Sequence, residues 1–448
     1  MPQVYPFNAI QYRHGNGDLS DVVAPPYDVL DKPAKDRLVH RNPRNVVAVD
    51  LPHTPPKELG PPETYAAAGD TFRAWLAEEV LARREKPALF ACRQSFTFNG
   101  KTHERCGMAC TVGLVPFGPR KGGGVLPHEE TFSGPKEDRF ALMKATRCQL
   151  SPIFGLHGDD KGDATGLARM VMSRGNPAIT ATTDDAVKHE VWPIDDPAMI
   201  AAYQRALADE DVFIADGHHR YTTQLNYLKL LESQGPVPPN HPARRCMMVL
   251  VSMSDPGLVI APTHRVLGGM SGYSMDRFTQ AAKGLLTVKP APGDARHLEV
   301  EMERQAKEAP GRNVLGLIDI PTGKCFTATF NDADPLARRY ATKPQAWRTL
   351  DVALVQFAIV EEIAQPMLND GQPVKWAFPH SVPEILEIAK GHETGAGGGK
   401  GFAQLAVVVR PTPLATVRAV SKAGELMPQK STFFYPKLAT GLFLNSLE

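Results

Sequence analysis

The sequence predicts a mixed α/β protein, and three observations carry that expectation. Short apolar runs alternate with stretches in which apolar residues recur every three or four positions, the patterns of strands and helices. The longest apolar runs, such as MMVLV from Met247, have the length of a buried strand and fall far short of the ~20 residues a membrane span needs. The 448 residues include 37 glycines and 40 prolines. Together these make up about 17% of the chain against an average near 12%, so turns are many and a helical bundle or coiled coil is excluded.

Taken in order, the first strong element is a helix over residues 63–84, with Phe72, Trp75, Leu76 and Val80 on one side. PALFACRQSF follows as a strand, and residues 108–117 (MACTVGLVPF) as another. PRKGGGVLPHEETF reads as a glycine-rich loop, and residues 136–148 as a helix starting after Pro135. A further helix spans 198–208. Residues 211–215 (DVFIA) form a short strand that ends at Asp216-Gly217-His218-His219-Arg220, and 221–232 place leucines at helical spacing. RCMMVLVSM from Arg245 is a buried strand. Beyond Gly268 the segments are joined by Pro/Gly-rich connections, which sets a boundary between a domain of residues 1–267 and a second α/β domain of residues 268–448. Within the latter, 351–362 form a helix, LAVVVR from Leu405 a strand, and a helix starts at Leu414. The tail GELMPQKSTFFYPKLATGL reads as an ordered loop, and no internal repeat is visible.

Lysine and arginine number 50 and aspartate and glutamate 49, a net charge of +1. That balance leaves no global footprint for nucleic acid or an anionic membrane, and leaves open a local basic pocket for a phosphorylated small molecule. The start MPQVYPFNAIQYRHGNG lacks the basic then apolar pattern of a secretory signal. The six cysteines form no CxxC pair, and Cys106 and Cys110 have no second pair at zinc spacing. Buried, reduced thiols in a cytoplasmic protein are the expectation.

Three runs carry chemistry. Asp216-Gly217-His218-His219-Arg220 follows a strand and opens a helix, a geometry suited to phosphate. Gly217 lets backbone approach a ligand, Arg220 offers a bidentate fork, and Asp216 suits either a helix cap or a phosphate-bound magnesium. The bland alternative is a capped helix with two surface histidines. His128-Glu129-Glu130-Thr131 follows Gly122-Gly123-Gly124. It is not a zinc-protease motif, because Phe132 stands where the second His is required. A glutamate there can act as general base toward an alcohol, or be a solvated turn. Lys430-Ser431-Thr432 on a Pro-bounded loop makes an anion cradle or a structural turn. Gly397–Gly401 is not a Walker loop, since Gly401 replaces its Ser/Thr and Thr394 its first Gly. Ala24-Pro25-Pro26-Tyr27-Asp28, Asp138-Arg139 and Thr263-His264-Arg265 are lesser candidates, with Arg139 and Arg265 equally suited to structural ion pairs.

APPYDV, NPRNVV, HEET with KEDRF, SPIF, DGHHRY, PTHRVL and MPQKSTFFYPK, in this order from Ala24 to Leu442, resemble a bacterial and archaeal family known only as domain of unknown function ten-fifteen. More distantly, LPHEET, IADGHHR and GELMPQKSTFFYPK are similar in order to an HE segment, a VDGHHR strand end and a GE…PKTTRH tail in the archaeal free-serine kinase of the ParB/sulfiredoxin superfamily. The tail departs from that pattern, with KSTFF in place of KTTRH. The resemblance implies a ParB/sulfiredoxin-like core in the first domain and a C-terminal tail that returns to its active site. It implies Glu129 as base toward a serine hydroxyl, with His128 and His218 in the catalytic group. Asp216, Gly217, His218, His219, Arg220 and Arg139 would bind phosphate or nucleotide. Lys430, Ser431, Thr432, Tyr27 and Asp28 would bind the substrate.

The expected function is therefore a small-molecule kinase that phosphorylates free L-serine from ATP or ADP with Mg2+, Asp216 contacting the metal. A serine hydroxyl needs an oriented base, and phosphoryl transfer needs positioning and charge neutralisation. The rival readings are a phosphoserine phosphatase with the same phosphate cradle and a CTP-binding, ParB-like switch. A sulfiredoxin-like reaction is disfavoured, because no Cys stands in the DGHHR turn.

Overall fold

A computed structural model describes residues 3–13, 17–54, 58–130, 134–392 and 397–448, with residues 134 and 135 as backbone only. Thr131 of the HEET run and Thr394 of the glycine-rich loop lie outside the described residues. The architecture is mixed α/β, the expected class. The chain divides into two compact units. The first comprises Met1–Pro127, Thr131–Val259 and Phe434–Glu448, and the second His128–Glu130 and Ile260–Phe433. The strand Arg265–Gly268, which spans the expected boundary at 267/268, lies one in from the edge of the second unit's sheet.

The first unit is built on a nine-stranded sheet. Its order runs Val125–Leu126, Val212–Asp216, Ile153–His157, Arg245–Ser252, Lys101–Gly113, Leu89–Phe98, Lys188–Ile194, Ile179–Thr182, with Val4–Tyr5 also paired to Lys101–Gly113. The central strands are buried on both faces, which is why FIA and MMVLV are unbroken apolar runs. The strand over 101–113 starts earlier than its apolar half suggested, since its polar first residues lie at the exposed end of a long hairpin with Leu89–Phe98.

The helix Pro62–Ala77 buries Tyr65, Ala68, Phe72 and Trp75, a single stripe at helical spacing. It stops well before residue 84. Glu79 takes a left-handed φ of 59°, and Leu81–Arg83 turn away to pair with Ile10–Tyr12. Likewise Gly134–Thr146 ends before Cys148, which joins a small strand with Asn445–Ser446. All six cysteines are unbridged.

The second unit holds a six-stranded, wholly antiparallel sheet, ordered Leu286–Pro290, Lys324–Phe330, Val314–Asp319, Ala403–Val408, Arg265–Gly268, Lys375–Ala377. Strict alternation sends Leu267, Leu317 and Val407 to one core and Val266, Ile318 and Val408 to another, so both faces are covered. The helix expected over 351–362 is α-helical only at Asp351–Leu354. It then widens to a π-helix over Val355–Ala364, a distinction that apolar periodicity over ten residues does not resolve. Among the described residues no helix is long and apolar enough to cross a membrane.

Candidate functional site

In the first unit the strand Val212–Asp216 is buried through Ala215, and the chain then turns at Gly217 into the helix His218–Gln234. Gly217 has φ 101°, and a Cβ there would lie 3.1 Å from the Arg220 guanidinium carbon. The left-handed backbone and the close approach both call for glycine. The alternative reading of Asp216 as a helix cap is not what forms, for no side chain caps this helix. Instead Arg220 folds back, donating from Nη2 to Asp216 Oδ2 and from Nη1 to the Pro152 carbonyl. Lys437 Nζ donates to the other oxygen, Asp216 Oδ1. One carboxylate thus faces two cations, with side-chain exposures of 15% for Asp216, 12% for Arg220 and 15% for Lys437. Burial would raise the Asp216 carboxyl, but Lys437 and Arg220 outweigh it and hold it well below the usual carboxylate range. Burial pulls the Lys437 ammonium down, and Asp216 and then Asp28 reverse this and hold it above the usual range. His218 is buried at the same turn.

Arg139 belongs to a different network. Its Nε donates to Asp138 Oδ2 at 2.7 Å and its Nη1 to the Asp50 carbonyl at 2.5 Å, while its guanidinium lies 4.1 Å from the Tyr27 ring centroid. Asp138 also accepts from the Tyr65 hydroxyl at 2.7 Å, and Asp50 from Ser151 Oγ at 3.1 Å. The expected phosphate contact is replaced here by a buried ion-pair network that ties Gly134–Thr146 to the Asp50 turn. Tyr27, expected to touch substrate, is buried beneath Arg139, whereas Asp28 is exposed. Beside them lies a cavity of about 40 Å³, lined on its polar side by Tyr27, Asp50, Arg139, Ser151 and Arg220. Its volume suits a few waters and not a nucleotide.

In the second unit, Glu129 Oε1 accepts two hydrogen bonds from Thr432, at 2.8 Å from the backbone N–H and 2.9 Å from the hydroxyl. His128, with no exposed surface, sets its Nε2 2.8 Å from the same hydroxyl, and its carbonyl accepts from Met427 N–H at 2.7 Å. Arg265 underlies the loop. Buried to 2% exposure, it donates to the carbonyls of Thr263 at 2.6 Å and Lys430 at 3.0 Å. Burial pushes its guanidinium down to about 10, against the pull of Glu129. Lys430 adopts φ 58° and is exposed, and Ser431 is spent on the Pro428 carbonyl. Of the expected cradle, Thr432 is thus the member brought onto Glu129.

Asp216 does not fit as a magnesium ligand in this arrangement, because both its oxygens are engaged by cations. Among the described residues no group of three or more His, Cys, Asp or Glu could hold a metal. Sequence reasoning passed over Lys437, although it closes the same tail run as Lys430. It also passed over Arg105, a basic residue in a strand with nothing local to mark it.

A family model described as a protein of unknown function (DUF1015) matches residues 4–353. No curated protein matches the chain. Among solved structures, a free serine kinase variant in complex with ADP is similar with 12% identity and a TM-score of 0.33, over 71% of this chain and 90% of that one. A conserved hypothetical protein from Pyrococcus furiosus has 13% identity and a TM-score of 0.33, over 72% and 95%. SbnI from Staphylococcus aureus, truncated at its C-terminus, has 11% identity and a TM-score of 0.30, over 70% and 82%.

Proposed function

The chain belongs to the DUF1015 family, and we propose that it is a phosphotransferase acting on the hydroxyl of a small alcohol, with free L-serine as acceptor and ATP or ADP as donor. The observation that carries this reading is the turn at Asp216-Gly217-His218. There a glycine that admits close backbone approach, a helix start and two cations on one carboxylate gather the elements of a phosphate site. The order of the HE, DGHHR and KST runs supports the choice of a hydroxyl acceptor.

In this reading Arg220 and the helix start neutralise donor phosphate charge, with His218 and His219 at the same turn. Glu129 accepts the proton of the acceptor hydroxyl as that oxygen bonds to the terminal phosphorus of the donor and the bond from this phosphorus to the bridging oxygen breaks, releasing ADP from ATP or AMP from ADP, and Thr432 sets the orientation of the carboxylate. Magnesium enters as the counterion of the nucleotide, with no protein ligand assigned to it. The purified protein, incubated with magnesium, L-serine and either ATP or ADP, is expected to yield phosphoserine by mass spectrometry. Absence of phosphoserine with both donors overturns the reading, and phosphate release from phosphoserine alone would replace it with the phosphatase.

A further inference from the structure

In the second unit, residues 428–432 lie outside any helix or strand, so their backbone carbonyls have no ladder to pair with. Side chains of the same unit take its place. The Ser431 hydroxyl donates to the Pro428 carbonyl, and Arg265 Nη2 donates to the carbonyls of Gln429 at 3.4 Å and Lys430 at 3.0 Å. The Thr412 hydroxyl donates to the Ser431 carbonyl at 2.7 Å. Four consecutive carbonyls are thereby held, and each of the three donor residues is at most 5% exposed. Within this run Lys430 takes a left-handed φ of 58°, a conformation that residues other than glycine rarely adopt unless their surroundings fix it.

The last of these bonds bears on Glu129. The Ser431 carbonyl and the Thr432 N–H belong to one planar peptide, in which the two groups point in opposite directions. Fixing the oxygen at Thr412 therefore fixes the direction of the N–H, which donates to Glu129 Oε1 at 2.8 Å. The Thr432 hydroxyl, on the same backbone, donates to that oxygen at 2.9 Å. Thr412 is itself a rigid post. Pro411 and Pro413 flank it and restrict its backbone. The residues just before it are anchored, the Val409 N–H on His264 Nδ1 at 3.2 Å and the Arg410 guanidinium on Asp351 at 3.2 Å. The helix Leu414–Lys422, which starts two residues later, has no side-chain cap, so the Thr412 hydroxyl serves the loop and not the helix.

We propose that Thr412 is a positioning residue for Glu129, acting through the Ser431–Thr432 peptide. This rests on reading Glu129 as the base of the reaction. A carboxylate that takes a proton from an acceptor hydroxyl must be held at a set angle, and two donors on Oε1 whose own direction is fixed from behind do so. In this role Thr412 touches no reacting atom, so its effect falls on kcat and not on KM.

The test is steady-state kinetics of the full chain, following phosphoserine formation from L-serine at saturating ATP or ADP. Thr412→Val keeps the shape of the side chain and removes its hydroxyl. It should lower kcat by about three- to tenfold, the scale of one neutral hydrogen bond, with KM for serine within about twofold of wild type. Thr412→Ala should do likewise, and decides the matter should the valine variant fail to fold. Thr412→Ser, which keeps the hydroxyl, should retain most of the wild-type kcat. On a Glu129→Gln background Thr412→Val should cost no further kcat, because no base remains to be placed. Wild-type kcat without the hydroxyl overturns the role of Thr412. An equal loss in Thr412→Ser, a rise in KM alone, or an undiminished loss on the Glu129→Gln background overturns it as well. A wild-type protein that makes no phosphoserine, or a Glu129→Gln variant as active as wild type, removes the reading of Glu129 as base, and this inference with it.

Discussion

Glu129 and Thr432 make the sharpest demand on single atoms. If Glu129 takes the acceptor proton, Glu129→Gln keeps the size and the hydrogen bonds from Thr432 but abolishes the base. Turnover should fall by roughly 10²–10⁴ with little change in KM for the acceptor, checked by steady-state kinetics. Thr432→Val removes only the hydroxyl that meets Glu129 Oε1 at 2.9 Å and His128 Nε2 at 2.8 Å, leaving the backbone donor. A loss of kcat of about three- to tenfold, the scale of one neutral hydrogen bond, is expected. Residue type alone did not sort the cations of this chain. Arg139 and Lys437 are both basic, yet Arg139 meets two carboxylates and an aromatic ring, while Lys437 shares a carboxylate that already has a partner. Only the neighbours in the fold tell these two cations apart.

At the scale of elements, the turn between Val212–Asp216 and His218–Gln234 was legible because its determinants are local. An apolar strand, a glycine and a helical repeat occur within a few residues. Gly217→Ala tests the turn directly. A left-handed φ of 101° and a Cβ 3.1 Å from the Arg220 guanidinium carbon should cost on the order of 1–3 kcal/mol, read as a lowered Tm. The substitution should also displace Arg220 and weaken ADP binding in the same sample. The helix Pro62–Ala77 shows the opposite case. Phe72 and Trp75 of its expected stripe are buried, but Leu76 is half-buried and Val80 lies past the helix end, because Leu81 is drawn into pairing with Ile10–Tyr12 far away in the chain. Local propensity cannot report a strand partner seventy residues distant.

At the scale of the molecule, burial governs the response to pH. Burial pushes His157 down to about 4, His189 to about 3 and His264 to about 4, with Arg105 adding to His189 and Arg265 to His264, and Asp159 partly opposing at His157. These rings stay neutral in the fold while the unfolded chain takes up protons below its ordinary value near 6.5. The unfolded state then binds more protons, so stability falls as pH falls from about 6.5 toward 4, with little contribution above that range. Each ring contributes on the order of 1.4 kcal/mol per pH unit within the window. Asp216 has the same sign in a lower window. Its depressed pKa gives stability that is complete above the usual carboxylate range and lost only in stronger acid. Thermal unfolding followed from pH 7 to pH 4.5 should show a steadily falling Tm. A flat profile would mean that these histidines are hydrated in the native state.

The sequence by itself determined the mixed α/β class, the buried central strands, the unbridged cysteines and the glycine turn at the head of a helix. Each depends on residues close together in the chain, where periodicity and backbone sterics act without help. Resemblance of short runs, and not spacing, also named Glu129 and the tail as belonging to one reading. Only the tertiary structure decided which tail residue meets which partner. Thr432 reaches Glu129 across 303 residues and Lys437 reaches Asp216 across 221, while Lys430, the more conspicuous lysine, is turned to solvent. The physical reason is that a charge's role depends on its partners and its desolvation, and both are set by packing between segments whose separation along the chain carries no record of their meeting.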